Sequence, residues 1–334
     1  MRVAIFDVSH WHVPLYLPAL EAPGVEVVGI SDAENAAGDA LACRLRCPLL
    51  SADALMARDF DFALVFSRHA LMAQRAHALI ATRRPFLIEK PCGLNHAEVR
   101  GVARAAATAG VFVTVPFILR VSDLMGHLTQ AGSLSSSGYR DLSFRFVVGP
   151  LSRYEASGSR WMLDPAIAGG GSAMNVGVHF YDLIAALTQS AVTSVSGRVG
   201  HFRSDAGVEE LAAFSLGTSS GQIASVTTGY LYPTSAEDQR EFSFSVAHES
   251  AYLQGYGRMF SIKRPGERAA RNAQVEYNTD VFYPPFLSDA LARVREGRQP
   301  LVGLAEAERA IAVVEAGYRS AAHGGSAQAV DAPQ

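Results

Sequence analysis

The chain has 334 residues, 49% of them of hydrophobic types and 18% charged, with a formal net charge of −3. That length suits two domains, and the near-balanced charge leaves no electrostatic footprint for nucleic acid or an anionic membrane. No apolar run nears the roughly 18–20 residues that span a bilayer, and three cysteines (Cys43, Cys47 and Cys92) are too few for a disulfide framework and suit a reducing, cytoplasmic setting.

The first run, RVAIFD at 2–7, is branched and apolar and reads as a buried strand. It begins almost at the N-terminus, so no secretory leader is expected. Residues 14–20 suit a helix with Pro14 in its first turn. VEVVGISD (25–32) is a second strand, and 33–46 is a helix of good formers. Strands at 60–67, 85–90 and 111–117 alternate with helices at 71–82 and 96–110, the last stopping at Gly110. Helices of that length are crossovers, so the strands should be parallel and the sheet doubly wound, with ligands at the carboxyl ends of its strands. Cys43 and Cys47 lie four apart in a helical pattern, where they read as two small apolar residues or, less simply, as a metal pair.

After residue 120 the pattern changes. Longer alternating runs at 138–149, 191–202, 211–232, 240–257 and 259–265 predict a large, mostly antiparallel sheet. Helices at 172–188, 285–297 and 304–322 should pack on it. The fold class is therefore α/β: a Rossmann-type domain over 1–118, an α+β domain over 119–325, and a mobile tail over 326–334.

The turn after the first strand is unusual. A dinucleotide-binding turn reads G-x-G-x-x-G, and here Asp7, Ser9 and His12 occupy the three glycine places. Ser9 is small and can donate to a phosphate. His12 must either leave the helix–strand contact or donate to phosphate itself, and His10 and Trp11 lie between them. An ionised Asp7 repels a diphosphate unless it serves elsewhere, for example by capping the next helix. The helix N-terminus still favours an anion. Asp32, ending the second strand, suits a ribose hydroxyl and opposes a 2′-phosphate, which favours NAD over NADP; alternatively it caps the following helix. His10 and His12 at i, i+2 are too weak a signal for a metal site, and none is expected.

LIEKPCG (87–93) ends the fourth strand with Glu89, Lys90 and Pro91, and Ser67 and His69 follow the third. Far along, WMLDPAIAGGGSAMNVGVHFYDLI (161–184) offers a glycine-rich turn entering a helix. Asn175, His179 and Asp182 are spaced to share one helical face, and polar groups in an apolar helix need partners or a cleft.

The EKP at 89–91, the GGG at 169–171, the G-x-H-x-x-D of Gly177, His179 and Asp182, and the segment from Phe286 to Ala321 occur in order along nearly the whole chain. In these features the chain resembles the glucose–fructose oxidoreductase / inositol dehydrogenase / MocA family. That resemblance implies a Rossmann domain and an α/β domain whose open sheet forms homodimers or tetramers. It also implies NAD(P)-linked oxidation or reduction of a sugar, sugar acid or cyclitol. Lys90 and His179 match its catalytic positions. His179 would be the base, with an unperturbed pKa of about 6.5. Lys90 would donate to the reacting oxygen, a contribution of about 3 kcal/mol in the transition state. Glu89 would hold Lys90 or contact cofactor together with Ser9, His10, Trp11, His12, Asp32, Ser67 and His69. Arg120, Trp161, Asn175 and Asp182 would face substrate: the guanidinium for an anionic group, the indole for a sugar face. The chain departs from the family in its glycine-free turn and in Asn175, where Asp is usual. The first departure favours a non-catalytic or regulatory alternative with impaired cofactor binding; the family also includes NAD-using glycosidases. The second puts an amide where a carboxylate is usual, which leaves Lys90 less neutralised and favours an acidic substrate.

Overall fold

The computed structural model describes residues 1–8, 10–32, 38–130, 132–203, 205–234 and 239–331. By contact density the chain forms two units. The first takes 1–118 and adds 154–169 and 280–308. The second takes 119–153, 170–279 and 309–334.

The first unit opens with β1 (Arg2–Phe6), α1 (Val13–Leu20), β2 (Glu26–Ser31) and α2 (Gly38–Leu45). Residues 33–37, the expected start of that last helix, lie outside the described residues. Two short elements follow that the sequence pattern does not reveal, β3 (Leu49–Leu50) and α3 (Ala52–Met56). They are too short for either periodicity to register. Then come β4 (Phe62–Val65), α4 (His69–Ala81), β5 (Phe86–Ile88), α5 (His96–Ala109) and β6 (Val113–Thr114). All five pairings are parallel, in the order β3-β2-β1-β4-β5-β6. The order reverses beside β1, so the carboxyl ends of β1 and β4 flank the crevice where such sheets bind ligands. Residues 3–6, 62–66 and 86–88 are buried throughout, as a sheet covered on both faces requires. The α2 helix ends at Leu45, so Cys47 lies beyond it, and the helical pairing expected of Cys43 and Cys47 does not form.

The second unit contains α6 (Asp123–Thr129) and β7 (Tyr139–Val148). The chain then passes through α7 (Ser152–Ala156) and α8 (Pro165–Ala168), and a π-turn at Ala173–Gly177 leads into α9 (Val178–Thr188). The strands that follow are β8 (Val192–Gly200), β9 (Leu211–Thr218), β10 (Ile223–Gly229), β11 (Arg240–His248), β12 (Ala251–Tyr256), β13 (Met259–Lys263) and β14 (Arg271–Gln274). Helix α10 (Tyr283–Arg295) falls in the first unit rather than on the second sheet, and α11 (Leu304–Ala322) and the short β15 (Gln328–Ala329) complete the chain. Nine strands form one sheet, antiparallel except where β10 runs parallel to β7. Buried Phe144, Phe146, Phe242 and Phe244 alternate with more open residues along β7 and β11, and Phe180 of α9 packs against them. The tail differs from the mobile segment expected. Gln328 and Ala329 pair with Val195 and Ser194, and the Val330 amide donates to the Thr193 carbonyl, because the edge of β8 offers unpaired backbone groups.

Candidate active site

The turn after β1 solves the problem of the missing glycines in a specific way. Asp7 has φ 61°, the left-handed region in which Asp and Asn are the best tolerated residues after glycine. Its carboxylate is buried and does not cap α1, whose cap position is His12 with no side-chain cap bond. Instead it accepts from the Ser67 hydroxyl at the end of β4. It also accepts from Arg75 on α4, at 3.2 Å from Nε and 3.4 Å from Nη2. Ser67, expected to touch cofactor, is thus spent on Asp7. Ser9 lies outside the described residues.

His12, at the third glycine place, meets groups of the protein itself at both ring nitrogens. It is buried, with Nδ1 3.0 Å from Glu89 Oε2 and Nε2 3.2 Å from the Tyr283 hydroxyl of α10. Glu89 also accepts from the Tyr16 hydroxyl of α1 at 2.5 Å and from the Lys90 amide at 3.2 Å. His10, His12 and Glu89 are close enough to ligate one ion. However, His12 Nε2 is hydrogen-bonded with the Tyr283 hydroxyl and the Glu89 carboxylate accepts from Tyr16, and an ion would have to compete with these contacts. Lys90 is 1% exposed, at the carboxyl end of β5, and the bond to Pro91 is cis.

His69 opens α4, and its Nδ1 lies 2.7 Å from the Ala168 carbonyl. Burial pushes its pKa down to about 3, and burial with His12 nearby drives His10 the same way, so both rings are neutral. Trp161 belongs to this unit and packs against His10 and His69, with ring centres 5.7 and 4.9 Å away; it is buried rather than offered to a sugar face. Alongside, a cavity of about 610 Å³ is lined by His10, Trp11, Leu17, Asp32, Leu41 and Arg44, among others. Asp32 stands between the cavity and the next helix. It lines the cavity while Oδ2 accepts from the Gly38 amide at 3.0 Å, the first residue of α2.

In the second unit, Gly171, the last of the glycine run, has a packing reason. A Cβ on Gly171 would stand 2.0 Å from the Glu209 carbonyl oxygen. The buried Glu209 carboxylate accepts from the amides of Gly171 (2.7 Å) and Ala173 (2.9 Å) and from the Tyr318 hydroxyl (2.9 Å), so it fastens the entry to α9. Burial raises its pKa. Asn175 lies inside the π-turn that leads into the helix bearing His179. Asn175 is 2% exposed and donates from Nδ2 to the Tyr230 hydroxyl at 3.1 Å. From 171 to 184 every residue is buried except His179, which is half-buried. Asp182, one turn on, takes both arms of Arg120, Nε at 2.6 Å and Nη2 at 2.8 Å. The guanidinium expected to hold an anionic substrate is therefore neutralised within the protein.

Sequence reasoning missed Arg75, Tyr16, Tyr283 and Glu209. The first three sit in ordinary helical patterns. Glu209 is one of two adjacent acids before β9, and nothing in the spacing separates it from Glu210.

Residues 9–117 match a family model described as "Oxidoreductase family, NAD-binding Rossmann fold", and residues 142–251 match the GFO/IDH/MocA C-terminal domain. A protein of Amycolatopsis mediterranei (strain S699), provisionally named as the oxidoreductase subunit of UDP-kanosamine synthase, is 29% identical over 203 residues. That match covers 59% of this chain and 54% of the relative, so the chain spans about half the length of the curated protein it matches. Among solved structures, GenD2 from gentamicin A biosynthesis, in complex with NAD, superposes with a TM-score of 0.84 at 19% identity, covering 99% of this chain and 97% of that one. The UDP-N-acetylglucosamine 3-dehydrogenase GnnA from Acidithiobacillus ferrooxidans gives 0.78 at 18%, covering 96% and 98%. At these identities the structural likeness shows the fold. Among the described residues no helix is long and apolar enough to cross a membrane.

Proposed function

This chain belongs to the GFO/IDH/MocA oxidoreductase family, and from that premise we propose that it moves a hydride between NAD and a secondary alcohol or ketone of a sugar-like small molecule. The observation that carries this reading is Lys90, buried just past the end of β5, at the carboxyl edge where a doubly wound sheet presents its chemistry.

The residues present fit a dinucleotide. The 610 Å³ cavity is within the range of small-molecule sites and has an acidic side chain, Asp32, at the end of β2. Arg75 neutralises Asp7, so no uncompensated anion stands in the turn where a diphosphate would lie. Asp32 supports NAD over NADP, since a carboxylate accepts from a ribose hydroxyl and repels a 2′-phosphate. Arg44, the nearby cation, is engaged by Glu21 at 2.6 Å.

When bound, the nicotinamide supplies the two-electron acceptor or donor. The chain's own residues handle the proton. His179 takes it from the substrate hydroxyl during oxidation and returns it during reduction. Lys90 donates a hydrogen bond to that oxygen and stabilises its alkoxide character. Glu209 and the π-turn fix the start of the helix that carries His179. The pairing of Arg120 with Asp182 argues for neutral sugars rather than acidic ones. Names of relatives and structural neighbours support a nucleotide sugar or amino sugar as the substrate class. Following NADH absorbance over a panel of nucleotide sugars, free amino sugars, sugar acids and cyclitols tests the proposal. Turnover on at least one neutral member is expected. NADH binding without any turnover would instead support the glycosidase or regulatory alternatives.

A further inference from the structure

Three buried nitrogen atoms near the glycine-free turn have no hydrogen-bond partner among the described residues: His10 Nε2, His69 Nε2 and Trp161 Nε1. Their rings lie within 6 Å of one another, centre to centre. The remaining hydrogen bonds settle what each can offer. His10 Nδ1 accepts from the His12 amide at 3.1 Å, so the single proton of this neutral ring is on Nε2, a donor. His69 Nδ1 faces a carbonyl at 2.7 Å and carries the proton, so its Nε2 is an acceptor. The indole N–H of Trp161 can only donate. The cluster therefore presents two donors and one acceptor, and leaving each unmatched costs free energy.

We propose that His10 and Trp161 donate to the cofactor's diphosphate in place of the main-chain amides of a glycine turn, and that His69 accepts from a hydroxyl of the adjoining ribose. The proposal rests on NAD binding as argued above and assigns the residues that achieve it in this chain. His10 stands between the second and third glycine places, where the fold puts the diphosphate. An anion takes hydrogen bonds and gives none, which matches two neutral donors; a ribose hydroxyl beside it can satisfy the acceptor. Ligand arriving through the cavity that His10 and Trp11 line reaches these atoms with a small adjustment of the turn, since none of the three is open to solvent.

The test is calorimetry on the full chain with NADH and with ADP-ribose, which keeps the diphosphate and both riboses but lacks nicotinamide. Trp161→Phe removes the indole N–H and keeps a ring; His10→Phe removes that ring's donor. Each is expected to weaken NADH and ADP-ribose alike, by about tenfold. Trp11 and Trp161 are the chain's two tryptophans, so the wild type offers a measurement that needs no variant: saturating ADP-ribose should shift the intrinsic emission. Wild-type binding with indifferent variants overturns the inference alone, and so does a loss confined to NADH, which would assign the donors to nicotinamide. Absence of an emission shift at saturation also overturns it. A wild type that binds neither ligand overturns the NAD reading itself.

Discussion

The Arg75 guanidinium meets the Asp7 carboxylate at two points, 3.2 Å from Nε to Oδ2 and 3.4 Å from Nη2 to Oδ1, on a residue whose φ is 61°. A position that glycine usually fills is thus held by a carboxylate that needs a cation. Asp7 is 4% exposed, so removing Arg75 strands a buried charge. Arg75→Ala is expected to cost about 3 kcal/mol in urea unfolding and to weaken NADH binding. Adding Asp7→Asn to it should restore most of both. A double variant no better than the single one would refute the pairing's role.

Lys90 and His179 carry the proposed proton chemistry. Lys90→Met should lower kcat by about a hundredfold, the value of one well-placed donor. His179→Ala should lower it by about 10²–10⁴-fold. With His179 as base, alcohol oxidation in the wild type falls off on the acid side, and this limb should vanish from the residual rate of His179→Ala. A limb that survives in the variant would assign the base elsewhere.

The two buried imidazoles make stability sensitive to acid. His69 titrates at about 3 in the folded chain against about 6.5 unfolded, and His10 is displaced in the same direction. The unfolded chain therefore takes up these protons first. The contribution of His69 is complete above about pH 6.5 and is lost as pH falls from there toward 3, at up to about 1.4 kcal/mol per pH unit, and His10 acts in the same direction. Urea midpoints at pH 7.5 and 5.5 should diverge in the wild type and lie closer together in His69→Gln, where only His10 still contributes.

Glu209 joins two amides and a phenol around one buried carboxylate. Glu209→Ala should cost about 3 kcal/mol or more, since several buried donors lose a charged partner together. Glu209→Gln keeps one acceptor oxygen and should recover part of that loss, with kcat affected more than KM because the helix entry bearing His179 is displaced. Equal losses in the two variants would mean that the carboxylate does not act by accepting these bonds.

Asp32 is the residue expected to choose between cofactors. Asp32→Ala should narrow the preference for NADH over NADPH by about tenfold or more in binding, with some loss of stability from the freed Gly38 amide. An unchanged ratio would place the selectivity elsewhere in the cavity.

Much of this molecule is legible in one dimension. Alternation of apolar runs and helical stretches points to the parallel sheet, because strands buried on both faces are continuously apolar. Period-two runs after residue 120 point to the second sheet in the same way. Lys90, Asp32, Asn175 and His179 stand out because polar groups at strand ends or in apolar helices need a reason. What stays hidden is short or long-range. β3 and β15 have two residues each, below any period. The π-turn at Ala173–Gly177 has no signature in spacing.

Local composition and the order of segments were enough to specify two α/β units, the family, and the residues that carry charge at the strand ends. The partner that each polar group received came from the packed fold alone. Asp7 found Arg75 across 68 positions, Glu89 found Tyr16 across 73, and Arg120 was claimed by Asp182 instead of a ligand. A buried polar atom takes the nearest complement that folding delivers, and that neighbour is set by packing rather than by position along the chain.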